Sequence, residues 1–353
     1  MSIQSYPIAS LFGNFIKDSQ KGRRLKQDGK KLKKDSVVNY AYCLKLLQLF
    51  DVHRGEPVSI RPLAKYSKTQ LMSEKKYWKK FYNEFTAFLY KQDCFDNYVG
   101  SVIKCLRTFF NWLETDRMMP VGRFHKDFFV VQQEVPIITL MPEQLRFLIY
   151  DPAFEACLPA HLQRTKDIMV IGCTVALRYS DLVGIGWHNI ETKNGQLYLS
   201  VQSKKTETVT RVPLPPYVLS ILEKYTLYKK HRKTIFEPIS LHRFNLNLRA
   251  IVEKAGYTEP VGKSRSKQGV AHQQLHPKTK KPYRFCDLVS SHIMRRTAVT
   301  TMLMHGVPEF VVKKISGHAS NSKAFYRYVN LAQSFMDSEV ARHFEKMGKA
   351  AEL

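Results

Sequence analysis

Apolar residues recur at spacings of three and four through the first third of the chain, the pattern of helices that each bury one face. Ile8, Leu11, Phe12 and Phe15 form one stripe, and Tyr40, Cys43, Leu44, Leu47 and Phe50 a second. Phe81, Phe85, Phe88 and Leu89 form a third, and Val99, Val102, Ile103, Leu106, Phe109, Phe110 and Leu113 a fourth. The spacing predicts a helical bundle with these stripes as its core. Periodicity fades between Met118 and Pro136, which divides the chain into a helical domain over 1–118, a linker over 119–136 and a second domain over 137–353. No internal repeat is visible.

The second domain reads as mixed. Thr139 or a neighbour caps a helix entered through Pro142 and Glu143, and a further helix over Lys166 to Leu177 buries Ile168, Val170, Ile171 and Val175. Lys193, Asn194 and Gly195 signal a hairpin turn, followed by alternating Leu197, Leu199 and Val201 and a return through Val209, Arg211 and Val212 to Pro213. Helices are predicted over Tyr217 to Tyr228 and Phe244 to Gly256. The stretch from Gly262 to Arg284 is basic, poor in apolar residues and read as a loop. Gly306 and Gly317 are predicted helix stops flanking a short helix through Phe310, Val311 and Ile315, with Pro308 in its first turn. Met336, Val340, Phe344 and Met347 predict a last amphipathic helix over 334–348. The fold class is therefore mainly α with a small antiparallel β-sheet.

Charge changes the picture most. The 353 residues carry a formal net charge of +26, which points to a polyanionic partner, with nucleic acid ahead of an anionic membrane surface. No long apolar run, signal peptide or lipidation motif supports the membrane. Eight basic residues crowd the stretch Lys21 to Lys34, a run that taken alone reads as solvated surface. The six Cys lie in apolar contexts without paired spacing, so reduced thiols and a cytoplasmic location are expected. His272 and His276 have a metal-compatible spacing, but no helical periodicity surrounds them and no third ligand follows, so no metal or cofactor is expected.

Candidate chemistry concentrates between Asp287 and Val329. His292 and Arg295 stand three apart on a predicted helix, which puts two donors on one face. The stop at Gly317 delivers His318 to a defined place, and Phe325, Tyr326 and Tyr328 follow on a short element. A phenol is a competent oxygen nucleophile when fixed cations lower the cost of its ionisation. Arg178, upstream, completes what reads as a metal-free phosphoryl-transfer site; its bland alternative is an exposed ion pair with Asp181, worth a few tenths of a kcal/mol.

These residues resemble the tyrosine recombinase (phage integrase) family. Its H-x-x-R block is matched by His292, Ile293, Met294 and Arg295, and its G-H by Gly317 and His318. Its A-L-R-x-S-D-L block is matched by ALRYSDL around Arg178, and its hairpin Lys by Lys205, with Lys204 as rival. The family nucleophile follows the G-H histidine by about nine residues; Tyr326 lies eight beyond His318 and Tyr328 ten, and the F-x-R-Y-V context favours Tyr328. The resemblance spans nearly the whole chain. It implies a helical core-binding (SAM-like) DNA-binding domain whose basic run tracks phosphates, joined to a mixed α+β catalytic domain.

The resemblance further implies catalysis by Arg178, Lys205, His292, Arg295, His318 and Tyr328. Tyrosine attack gives a 3′-phosphotyrosyl link and frees a 5′-hydroxyl, with Lys205 as acid and neither metal nor ATP required. Arg296 is left out of this set. Double-stranded DNA at an attachment or crossover site, a homotetramer and a DNA-bending accessory protein are the implied partners, and a mobile-element integrase acting on the nucleoid the implied role. A type IB topoisomerase and a catalytically silent DNA-binding protein are the alternatives.

Overall fold

A computed structural model describes residues 5–26, 28–62, 66–203, 208–229 and 232–349. The chain forms two units, Met1–Val135 with Ser264–Gln274, and Pro136–Lys263 with Leu275–Leu353.

In the first unit a two-residue strand, Tyr6–Pro7 (β1), leads into Ile8–Gln20 (α1) and pairs with Ser59–Ile60 (β2), which follows Lys34–Arg54 (α2). Lys68–Lys91 (α3) and Asp96–Thr115 (α4) complete the bundle. The four predicted stripes meet in an aromatic core in which Phe12, Phe15, Phe50, Phe81, Phe85, Phe109 and Phe110 are fully buried. α3 begins with a reciprocal cap: Ser67 Oγ accepts from Gln70 N, and Gln70 Oε1 accepts from Ser67 N. α2 starts at Lys34, the last residue of the basic run. The stretch read as a linker contributes to this unit, because Val121, Phe124, His125 and Phe128 are buried in it.

The second unit opens with Pro142–Tyr150 (α5), Pro152–Ala156 (α6) and Ala160–Val175 (α7). Thr139 is not the α5 cap. Met141 takes that position, its N–H donating to Gln144 Oε1, and Thr139 is buried upstream. α7 starts six residues before the predicted Lys166 and is buried nearly all round, so no single stripe marked its start. Tyr179–Leu182 (α8) follows, then an antiparallel sheet of Ile190–Lys193 (β3), Gln196–Gln202 (β4) and Val209–Pro213 (β5), in that spatial order. Lys193 pairs with Gln196 across Asn194 (φ 50°) and Gly195 (φ 75°), the two-residue turn that the sequence signals. Pro216–Glu223 (α9) is shorter than predicted and gives way to a 3-10 turn at Thr226–Tyr228; Leu241–Lys254 (α10) comes next.

The basic stretch from Gly262 is not simply a loop. Ser264–Lys267 (β6) and Val270–Gln273 (β7) form a hairpin that belongs to the first unit. At its tip the N–H groups of Gln268 and Gly269 donate to the buried Asp96 carboxylate at 2.9 and 3.0 Å, and Tyr90 Oη donates to the same group at 2.8 Å. β7 is exposed along its length, so it lacks the apolar alternation by which strands are recognised.

The chain ends in Phe285–Leu288 (α11), His292–Met304 (α12), Glu309–Ser316 (α13) and Lys323–Lys349 (α14). Pro308 caps α13 rather than lying in its first turn. The tyrosines sit within α14, one continuous helix, and not on a separate short element. α12 crosses α7 so closely that a Cβ on Gly172 would meet Met294 Sδ at 2.6 Å and Leu182 Cδ2 at 2.8 Å. Gly172→Val is therefore expected to cost about 2–3 kcal/mol through overpacking. A denaturant midpoint that does not fall would contradict this crossing.

Candidate active site

Helix ends build the site. α7 stops at Ala176, which takes left-handed φ 56° and ψ 18°, a conformation costing a non-glycine residue roughly 1–2 kcal/mol. Its carbonyl turns to accept from Arg295 Nη1 at 3.0 Å. Two residues later Arg178 caps α8 and donates through Nη1 to Ser203 Oγ at 3.1 Å, and Ser203 Oγ donates to Asp181 Oδ2 at 3.0 Å. The Arg178–Asp181 link thus runs through a buried hydroxyl at the end of β4.

α12 carries His292, exposed, as its first residue and Arg295, 7% exposed, one turn inside. α12 and α13 both end in paired backbone caps. Val307 N donates to Met302 O and Gly306 N to Leu303 O; His318 N donates to Lys313 O and Gly317 N to Lys314 O. In each the glycine is left-handed, as such caps require. The second cap fixes the backbone of His318. Thr210 Oγ1 on β5 donates to Ile315 O at 2.9 Å and ties the sheet to that turn.

His318 meets Arg295 Nη2 at 3.4 Å from Nε2 and 3.5 Å from Nδ1, and its Nδ1 lies 2.7 Å from Ser316 Oγ. Burial, then the charges of Arg295, Arg178 and Lys313, push His318 down to about 4, so the ring is neutral at physiological pH. Burial and the neighbouring Arg178 guanidinium push Arg295 down to about 10, opposed by Tyr328 and Asp181. Among the described residues no carboxylate lies within ion-pair distance of Arg295. A buried cation left in this state is costly unless an anion comes to it.

α14 brings the phenol. Phe325 is fully buried against Ala298, Val299, Leu303 and Val312 and anchors the helix start. Tyr328, half-buried, lies on the same flank with its ring 5.9 Å from that of His318. Tyr326 is 49% exposed, with Lys313 Nζ over its ring at 4.8 Å.

Of the residues singled out from sequence, Arg178, Arg295, His318 and Tyr328 gather here, and His292 stands one turn from Arg295. Lys205 and its rival Lys204 lie outside the described residues; β4 and β5, paired to Gln202 and Val209, lead into and out of that segment. Arg296 is half-buried beside Arg295. Ser203, Ser316 and the Ala176 carbonyl escaped sequence reasoning, since hydroxyls and carbonyls acquire such roles only through folding. Among the described residues no cluster of three or more His, Cys, Asp or Glu could hold a metal.

Two guanidiniums, a neutral imidazole and a phenol are gathered here, a donor set of the kind that suits a tetrahedral oxyanion. The chain belongs to the phage integrase family, whose model matches residues 149–334. Tyrosine recombinase XerC of Thermodesulfovibrio yellowstonii is 24% identical over 242 residues, covering 66% of this chain and 71% of the relative. The fold is shared with the Tn1549 transposon integrase in complex with transposon right-end DNA (15% identity, 94% of this chain, 99% of that one, TM-score 0.58). It is shared also with the XerH recombinase bound to palindromic difH substrate (12%, 94% and 95%, TM-score 0.58) and with a lambda integrase dimer on a COC′ core site (14%, 92% and 95%, TM-score 0.54).

Proposed function

We propose that the chain is a site-specific DNA recombinase that cuts and rejoins strands through a 3′-phosphotyrosyl intermediate on Tyr328, with no metal or nucleotide cofactor. The observation that carries this reading is Arg295, buried, with no described carboxylate within ion-pair distance and with Arg178 and Tyr328 close enough to act on its charge. Arg178 and Arg295 offer forked donors to the non-bridging oxygens as charge builds in the transition state. Tyr328 Oη attacks phosphorus, the bond to the 5′-oxygen breaks, and Lys205 protonates the leaving oxygen. His292 and His318 donate hydrogen bonds to the phosphate or tune the loss of the phenol proton. Attack by a 5′-hydroxyl of the partner strand reverses the step, so bond energy is conserved and ATP is not needed.

The partner is double-stranded DNA at a crossover or attachment site in the cytoplasmic nucleoid, and the net charge of +26 supports phosphate contacts by both units. Four copies assemble on two such sites, with a DNA-bending protein as accessory, in the manner of a mobile-element integrase. The relatives named above are recombinases and integrases, and none of them supports the topoisomerase alternative. The test is a nicked suicide duplex carrying a site that the protein selects from a randomised pool, incubated with excess chelator. A covalent adduct that ends in a free 5′-hydroxyl is expected. Tight, salt-sensitive binding without an adduct would reduce the chain to a DNA-binding protein.

A further inference from the structure

The chain passes between its two units three times, at Val135 to Pro136, Lys263 to Ser264 and Gln274 to Leu275. The segments that make these passages are held at one place, the start of α4. Asn97 holds the linker from both sides, Nδ2 donating to Gln133 O at 2.9 Å and Oδ1 accepting from Gln133 N at 2.7 Å. One turn on, Val131 O crosses the helix so closely that Gly100 has no room for a Cβ. The buried Asp96 carboxylate holds the hairpin tip, where left-handed Gln268 (φ 53°) and Gly269 (φ 79°) turn their N–H groups to it. Gln133 Oε1 accepts from Ser266 N at 2.7 Å and so joins the linker to the hairpin. Lys267 Nζ on Asp93 at 3.0 Å and Arg265 over the Phe95 ring at 5.3 Å complete the seam.

Chain length sets what this seam does. In the second unit Val261 N donates to Tyr283 O at 2.7 Å, Leu275 is bridged to Pro282, and His276 N donates to Lys281 O at 2.9 Å. Gly262 and Lys263 alone separate the first of these anchors from β6, and Gln274 alone separates β7 from the second. Such connections span at most about 10 Å. The linker is longer: Glu134 to Thr139, without helix or strand, lie between Gln133 and Leu140, whose N–H donates to Thr297 Oγ1 at 2.9 Å. Drawn out, it reaches roughly 20 Å. We propose that the β6–β7 hairpin is a clasp, latched on Asp96, that holds the movement of the two units relative to each other to less than the linker allows. With the latch open, all of Ser264–Gln274 joins the slack and the linker becomes the limit. The proposal does not depend on the recombinase reading.

The test uses the full chain, free of DNA, as wild type and three variants. Asp96→Asn replaces one acceptor oxygen by an amide group that cannot accept, at unchanged size. Gly269→Val strains the left-handed tip without touching α4. Lys267→Ala is the control, since it removes only the ion pair to an Asp93 side chain that is 94% exposed. Amide hydrogen exchange at Ser266 and Gln268 is expected to quicken by about 10–100-fold in the first two variants and to stay near wild type in the third. Labels introduced as unnatural amino acids at exposed Lys76 on α3 and Thr192 on β3 leave the cysteines untouched. The distribution of distances between them should be narrow in wild type and Lys267→Ala, and should widen alike in Asp96→Asn and Gly269→Val. Exchange that neither variant quickens would mean that Asp96 is no latch and would overturn the proposal. Faster exchange without widening overturns it too, as does widening in one of the two variants alone, which marks damage at that residue and no shared clasp.

Discussion

Tyr328→Phe is expected to abolish the covalent adduct while leaving DNA affinity within about twofold, because one oxygen is removed from a half-buried ring and no phosphate-contacting charge is lost. Tyr326→Phe is expected to cleave at close to the wild-type rate. At about 100° per residue, Tyr328 lies about 60° round the helix from fully buried Phe325, whereas Tyr326 lies about 100° round the other way. The face that Phe325 and Ala332 fix against α12 carries Tyr328 to His318 and Arg295. Tyr326 is turned to Lys313 and solvent. The reverse outcome, loss only in Tyr326→Phe, would require α14 to rotate and uncover Phe325, which is 0% exposed.

Arg295→Ala is expected to slow cleavage by about 10²–10³-fold and yet leave the protein as stable as wild type or more so. The two effects have one origin. Arg295 is a desolvated guanidinium with a carbonyl and a neutral ring for partners, so its charge burdens the free fold and is repaid only by the transition-state phosphate. Arg295→Lys should rescue little. A single ammonium cannot hold the Ala176 carbonyl and present a fork to two phosphate oxygens at once. Thermal unfolding and single-turnover cleavage, measured on the same preparations, check both halves; a large fall in Tm with unchanged cleavage would make Arg295 a structural residue.

Much of this architecture is legible in the sequence where one local rule decides the outcome. Gly306 and Gly317 end helices because left-handed caps favour glycine, and Asn194 with Gly195 makes the two-residue turn. The bundle stripes become core because only one face of each helix is apolar. Failures occur where tertiary contacts override local pattern. α7 began early because an all-round buried helix has no stripe to mark its start. The β6–β7 hairpin exists through the Asp96 carboxylate, which lies more than 170 positions from its tip. The spacing of eight or ten after His318 could not choose between two tyrosines, whereas the α14 face separates them. Ser316 and Ser203 could not be read at all, since a serine's partners are set by the fold around it.

The most direct measurement is mass spectrometry of the peptide that remains bound to a suicide DNA substrate after nuclease and protease digestion. A nucleotide 3′-phosphate esterified to Tyr328 Oη is predicted, formed equally with chelator present. A phosphate on Tyr326, on a serine or on no residue would contradict the account.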